Sequence, residues 1–161
     1  MRVERPHGDP VVGPDLAALV RSGVATVVAT RDDDLAPEIA RSWGPEVAAD
    51  GASVTLCVPA PAGSKTLANL VGNGAITATF VVPTTYRAVQ LKGTMLDMRE
   101  ATPEQLARVE EHIAAFIEQV EQIGVTRKQV GQLVEPEFVA VTFEVRELYD
   151  QTPGPSAGSR L

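Results

Sequence analysis

GSKTLANLVGNGAITATFVVPTTYRAVQLKG, from Gly63 to Gly93, is the stretch whose reading decides the fold. A loop rich in proline and glycine, beginning at Ala60, runs into it. Leu67, Leu70 and Val71 then fall at helical spacing, and Asn73-Gly74 closes the turn of helix. AITATFVVP follows as a β-branched, apolar strand, and Tyr86 to Met98 as another, with Val89, Leu91 and Gly93 on one face. A glycine inside a strand marks a bulge or a close backbone approach. Ser64-Lys65-Thr66 stands where loop becomes helix. Free N–H groups and the helix dipole favour an anion at such a place. The hydroxyls of Ser64 and Thr66 and the charge of Lys65 suit a phosphate. The phosphate loop of nucleotide triphosphatases, GxxxxGK[ST], is absent. A plain helix cap at Ser64 and a solvated Lys65 is the competing reading.

Working outward, PDLAALVRSG reads as a short helix starting at Pro14 or Asp15, with Gly23 at its C′ position. Val24 to Thr30 is a buried strand, Arg31 to Asp34 a turn, and Leu35 to Val47 a second strand. SVTLCVP, Ser53 to Pro59, is a third. Thr102 to Ile123 is a helix: Thr102 and Gln105 make a capping box around Pro103, and Leu106, Val109, Ile113, Phe116, Ile117 and Val120 form its apolar stripe. His112 is placed on the flank of that stripe. Thr126 to Val134 reads as a shorter helix and Glu137 to Leu148 as the sixth strand. Six strands joined by short turns, with one strong helix inserted before the last, predict a mainly β protein. Its expected form is a six-stranded antiparallel barrel with flanking helices. Residues 1–13 read as a loose arm, 14–150 as one domain and 151–161 as a mobile tail.

The chain has 161 residues and a net charge of −7. One cysteine, Cys57, excludes an internal disulfide, and two histidines, His7 and His112, exclude a histidine-rich metal centre. Cys57 lies between Leu56 and Val58 and reads as buried and inert. The acidic balance disfavours nucleic acid as a partner. The first residues carry charge and proline rather than an apolar run, and no stretch has the length of a membrane span. A cytoplasmic protein that does not enter membranes is the expectation. From Gly51 to Leu96 there is no Asp or Glu, but there are three bases, Lys65, Arg87 and Lys92. The other 115 residues carry a net of −10. Buried strands exclude acids in any case; the three bases suggest a local anion site.

The order of elements and the stretch quoted above resemble the pyridoxamine 5′-phosphate oxidase-like, FMN-binding split-barrel superfamily. The resemblance covers Leu16 to Leu148. It implies a split barrel, FMN as cofactor, a homodimer with the flavin site between subunits, and oxidoreductase chemistry on a small molecule. Lys65 matches the lysine that meets the flavin phosphate, with Ser64 beside it. Arg41, Ser42 and Trp43 match a segment that runs along the ring system and the phosphate. Val58 and Pro59 match the strand end beside the flavin, Arg87 a basic residue of the fifth strand, and Gln90 a flavin-contacting glutamine. Catalytic residues are not assigned, and no metal ligand set is seen.

Gly74 departs from the family's proline after asparagine. There is no tryptophan after Trp43, and the chain ends TPGPSAGSRL, so oxidation of vitamin B6 is not expected. Trp43 also reads as a core tryptophan, and Arg41 and Arg87 as solvated charges or as partners of Asp97 or Glu46. A module loaded with haem or a deazaflavin, or a bare dimeric barrel, are the alternatives. Haem would want His7 or His112 as its axial ligand.

Overall fold

The computed structural model describes residues 12–161, so the arm expected over 1–13, with His7, lies almost wholly outside the described residues. Helix α1 (Pro14–Arg21) leads into β1 (Ala25–Arg31), β2 (Pro37–Arg41), β3 (Trp43–Val47) and β4 (Ser53–Pro59). Helix α2 (Lys65–Asn73), β5 (Ala75–Val81), β6 (Ala88–Glu100), α3 (Pro103–Glu121), α4 (Arg127–Gly131) and β7 (Phe138–Asp150) complete the chain. The seven strands form one sheet in the order β2-β1-β5-β6-β7-β4-β3, antiparallel throughout. Its two edge strands, β2 and β3, are consecutive in sequence and joined through Ser42 alone. A sheet whose two edges share one residue must curl on itself, and this makes the split barrel. No described helix is long and apolar enough to cross a membrane.

The strand expected over Leu35 to Val47 is therefore two strands, which raises the count from six to seven. The cause is local. Ser42 N–H still donates to Thr26 O, at 3.1 Å, as a continuation of β2 would. Beyond it, Gly44 turns to φ 59° and Pro45 has no N–H to give, so the chain leaves β1 and pairs with β4 instead, through a register shift between Trp43 and Glu46.

Alternation explains the core. Thr26, Val28 and Thr30 of β1 and Ile76, Ala78 and Phe80 of β5 point inward and are buried, while their neighbours are half-buried. The inner cluster joins these to Leu56, Leu91, Val141 and Phe143, with Leu19 and Val20 of α1 and Leu70 of α2. A second cluster, Trp43, Cys57, Val109, Phe116, Ile117, Val120 and Val130, lies between the β3–β4 side and helices α3 and α4. Gly93 has the close approach its place in a strand implies: an added Cβ would stand 1.8 Å from Glu144 O.

Three local readings change or gain a cause. The capping box at Thr102 and Gln105 is present, and Thr126 and Gln129 repeat it on α4. Gly23 does not end α1 in a left-handed turn; Ser22 ends it in an extended conformation. Gly23 instead lies against α3, where a Cβ would meet Ala115 O at 2.3 Å. Residues 151–161, read as a mobile tail, run back along β7: Asp150 N–H donates to Ser159 O and Leu161 N–H to Leu148 O, both at 2.9 Å. The Asp150 carboxylate holds this return by accepting from Thr152 N–H and Ser156 Oγ.

Candidate functional site

Helix α2 is held by its asparagines. Asn69 Nδ2 donates to Thr30 Oγ1, Asn73 Nδ2 donates to Arg31 O, and Asn73 Oδ1 accepts from Ala75 N–H. Gly74, at φ 70°, closes the C-terminus in the left-handed conformation that glycine takes at least cost. These bonds dock α2 on β1, so its N-terminus stands over the end of β2 and the end of β4. The approach to that N-terminus is a turn in which Ser64 N–H donates to Pro61 O, with Gly63 at φ 73°. Ser64 Oγ accepts from Leu67 N–H at 3.2 Å, the cap that its residue type implies. The N–H groups of Lys65 and Thr66 lie in the first turn and have no intrahelical acceptor.

This N-terminus opens on a cleft of about 540 Å³. Glu38 to Arg41 of β2, Pro59 of β4, Pro61 to Thr66, and Gln132, Leu133 and Glu135 beyond α4 form its walls. Arg41 is half-buried and Lys65 exposed, and among the described residues neither is in an ion pair. Glu46 pairs with Arg108 and Asp97 with Arg99, so neither of the two acids expected as a partner holds Arg41 or Arg87. Two bases outside any direct ion pair, plus free first-turn donors, suit a phosphate. Glu38 and Glu135 share the cleft, and suit hydroxyl or amine donors placed away from that phosphate.

Of the nine residues assigned to the site from sequence, Arg41, Pro59, Ser64 and Lys65 line this cleft. Ser42, Trp43 and Val58 are buried behind it, at 1%, 2% and 0% exposure. Val58 belongs to the inner core, and Trp43 to the outer one, edge-on to His112 and Phe116. Ser42 Oγ and Trp43 Nε1 nevertheless have no hydrogen-bond partner. Arg87 and Gln90 are elsewhere. Arg87 is exposed at the start of β6, and Gln90 is held in β6 by Thr79 and Gln151. Strand β6 is three places from β2, roughly 14 Å along the sheet. The acid-free stretch is likewise no single patch in space. Lys65 lies in the cleft and Arg87 at a hairpin end, while Lys92 Nζ sits 5.0 Å over the Tyr149 ring. The second base of the cleft, Arg41, comes from outside that stretch.

Sequence reasoning missed Glu38, Gln132, Leu133 and Glu135. The last three follow α4, some 70 residues after Lys65, and only the pairing of β7 with β4 carries them to the cleft. It also misplaced His112, which is buried rather than on the helix flank. The signal was present: His112 falls three residues after Val109 and four before Phe116, within the apolar stripe. Its Nδ1 accepts from Gly44 N–H at 3.0 Å, and its Nε2–H donates to Val24 O at 2.9 Å. Burial pulls its pKa down to about 4, against the partial opposition of the Val24 bond. With both nitrogens engaged, His112 has no lone pair to give a haem iron. Cys57 is buried, and burial pushes its thiol up to about 11, so it is no nucleophile near neutral pH.

No family model and no curated protein matches the chain. Solved structures do. HupZ of Group A Streptococcus is similar over 91% of this chain and 99% of its own, with TM-score 0.54 and 18% identity. An F420 reductase covers 89% and 98%, with TM-score 0.56 and 15% identity. An FMN-binding protein from Syntrophomonas wolfei covers 83% and 84%, with TM-score 0.51 and 16% identity. At these identities the likeness is one of fold, and it extends over nearly the whole described chain. The curled antiparallel sheet, the loop and short helix after β4, and these neighbours agree: the chain has a split-barrel fold.

Proposed function

We propose that the protein binds FMN in the cleft at the N-terminus of α2 and acts as a flavin-dependent oxidoreductase on a small molecule. One observation carries this reading: Arg41 and Lys65, 24 residues apart, meet at that N-terminus with neither charge paired among the described residues. The donor set fits the group. Lys65, Arg41 and the first-turn N–H groups would take the phosphate. Glu38 and Glu135 can accept from the hydroxyls of a ribityl chain, and Pro59, Ile39 and Leu133 offer apolar surface. When bound, the flavin supplies the electron transfer; the chain orients it and balances its charge.

The cleft lies along β2, an edge strand, and a single chain leaves Arg87 and Gln90 away from it. A homodimer with a shared site is part of the proposal. The phosphate half of the site would serve a deazaflavin equally well, and the engagement of both ring nitrogens takes His112 out as a haem ligand. A visible spectrum of the purified protein, followed by titration with FMN, tests the reading. Flavin bands and quenched flavin fluorescence are the expected result. A haem Soret band, or no binding of FMN at millimolar concentration, would overturn it.

A further inference from the structure

The ladder between β1 and β2 stops one hydrogen-bonded rung short. Its pairs run Thr30–Glu38, Ala29–Ile39, Val28–Ala40 and Val27–Arg41. Ser42 N–H, donating to Thr26 O at 3.1 Å, marks Thr26–Ser42 as a hydrogen-bonded pair. Such pairs alternate along an antiparallel ladder, so in the same register the next is Val24–Gly44. A direct bond from Gly44 N–H to Val24 O is due there. A histidine ring stands in its place: Gly44 N–H donates to His112 Nδ1 at 3.0 Å, and His112 Nε2–H donates to Val24 O at 2.9 Å.

This match of register separates His112 from a histidine that is merely satisfied in a core. Val24 and Gly44 are both buried, so the two backbone groups would be costly to leave unpaired where the strands part. The Gly44 donor fixes Nδ1 as the acceptor and places the ring proton on Nε2, facing the carbonyl. Helix α3 lies directly on the bend: a Cβ on Gly44 would stand 3.0 Å from Val109 N. The two ends of the rung are not held alike. Strand β1 is flanked on both sides, and β5 pairs with it from Ala25 onward. Strand β2 is an edge, and beyond Arg41 the bend is tied to the β1 side by the Ser42 bond and by the imidazole. Arg41, three residues before Gly44, lines the cleft.

We infer that His112 is a positioning residue of the cleft: its ring replaces one rung of the β1–β2 ladder, parts the strands there, and fixes the bend from which Arg41 reaches the cleft. The inference rests on the FMN reading and adds a residue that touches no ligand. The Gly44 bond carries the effect, because it holds the free edge, whereas the Val24 bond holds a strand that β5 already fixes.

Titration with FMN, read by quenching of its fluorescence, tests this on wild type, Arg41→Ala, His112→Asn, His112→Gln and the double variant Arg41→Ala/His112→Gln. The asparagine amide reaches where Nδ1 stands and keeps an acceptor for Gly44. The glutamine amide reaches where Nε2 stands and keeps a donor for Val24. Each variant loses one buried bond, so urea unfolding should find both less stable than wild type. Arg41→Ala should weaken FMN binding about 10- to 150-fold. His112→Gln should weaken it at least about fivefold and His112→Asn less than about twofold. In the double variant, glutamine should add nothing to the loss from Arg41→Ala. A histidine that served stability alone would give the two His112 variants equal affinities, or a glutamine loss that adds to that of Arg41→Ala; either result overturns the inference. If the glutamine variant loses its far-UV circular dichroism, His112→Ala, which opens both backbone groups to water, replaces it under the same criteria. Wild type that does not bind FMN overturns the FMN reading and this inference together. Wild type that binds FMN, with Arg41→Ala unchanged, overturns this inference alone.

Discussion

Lowering the pH from 7 to 4 should remove a separable share of this protein's stability through His112. The geometry states why. Gly44 N–H points at Nδ1 over 3.0 Å, so a proton on Nδ1 would set two donors against each other inside the core. The Nε2–H is already donating to Val24 O. The imidazole therefore ties α3 to the bend in β3 and to the residue preceding β1, and it does so only when neutral. Burial brings its pKa from 6.5 down to about 4. The folded pKa is the lower one, so between these values the unfolded chain binds the proton and the folded chain does not. Stability from this source is whole above about pH 6.5, falls as the pH drops towards 4, and changes no further below that. At about 1.4 kcal/mol per pKa unit the loss is about 3 kcal/mol, a large share of the 5–15 kcal/mol typical of a domain.

Urea unfolding at half-unit pH steps from 7 to 3.5, for wild type and His112→Gln, measures it. Glutamine can offer an acceptor and a donor but does not titrate. The variant should be less stable at pH 7, and its stability should fall less steeply than that of wild type between pH 6.5 and 4. Carboxylate titration is common to both proteins and cancels in the difference. An NMR titration of the wild-type imidazole gives a second measurement, with Nδ1 expected to stay unprotonated at pH 5.5. Parallel stability curves, or an imidazole that takes up its proton near pH 6.5, would refute the reasoning.

Lys65→Ala should weaken FMN binding about 10- to 150-fold, the worth of a charge-assisted contact, with the fold unchanged and a shallower salt dependence; fluorescence titration at two salt concentrations reads both. Gly93→Ala places a Cβ 1.8 Å from Glu144 O, so it should destabilise by about 3 kcal/mol or prevent folding, whereas Gly72→Ala, with nothing near its Cβ, should be neutral or stabilising in thermal unfolding. Cys57, buried and with its thiol raised to about 11, should resist iodoacetamide at pH 8 in the native protein and react at once in urea, as mass spectrometry will show.

What could be read from the sequence was what short stretches decide. The β-branched, apolar composition of β1 and β5, the capping box at Thr102 and Gln105, and the loop-to-helix change at Ser64 each depend on residues close together in the chain. The break at Ser42 does not. Leu35 to Val47 has the look of one strand, and it divides because β1 ends its pairing there while β4 offers a new edge. His112 was misplaced for a related reason. A histidine in an apolar stripe is tolerable only if partners await it, and those partners, Gly44 and Val24, are 68 and 88 residues away.

The site divides along the same line. Ser64 and Lys65 announce an anion locally; Arg41 completes it only because the curled sheet lays the end of β2 beside the end of β4. The acid-free stretch from Gly51 to Leu96 pointed to the right chemistry through a premise that the fold does not support. Its three bases scatter to the cleft, a hairpin end and the face of Tyr149, and the absence of acids reflects the buried strands β4 and β5 as much as any ligand. Charge counted along a chain becomes an argument about binding only where the fold brings the charges together. Here that holds for one base of the stretch, Lys65, and for one base outside it, Arg41.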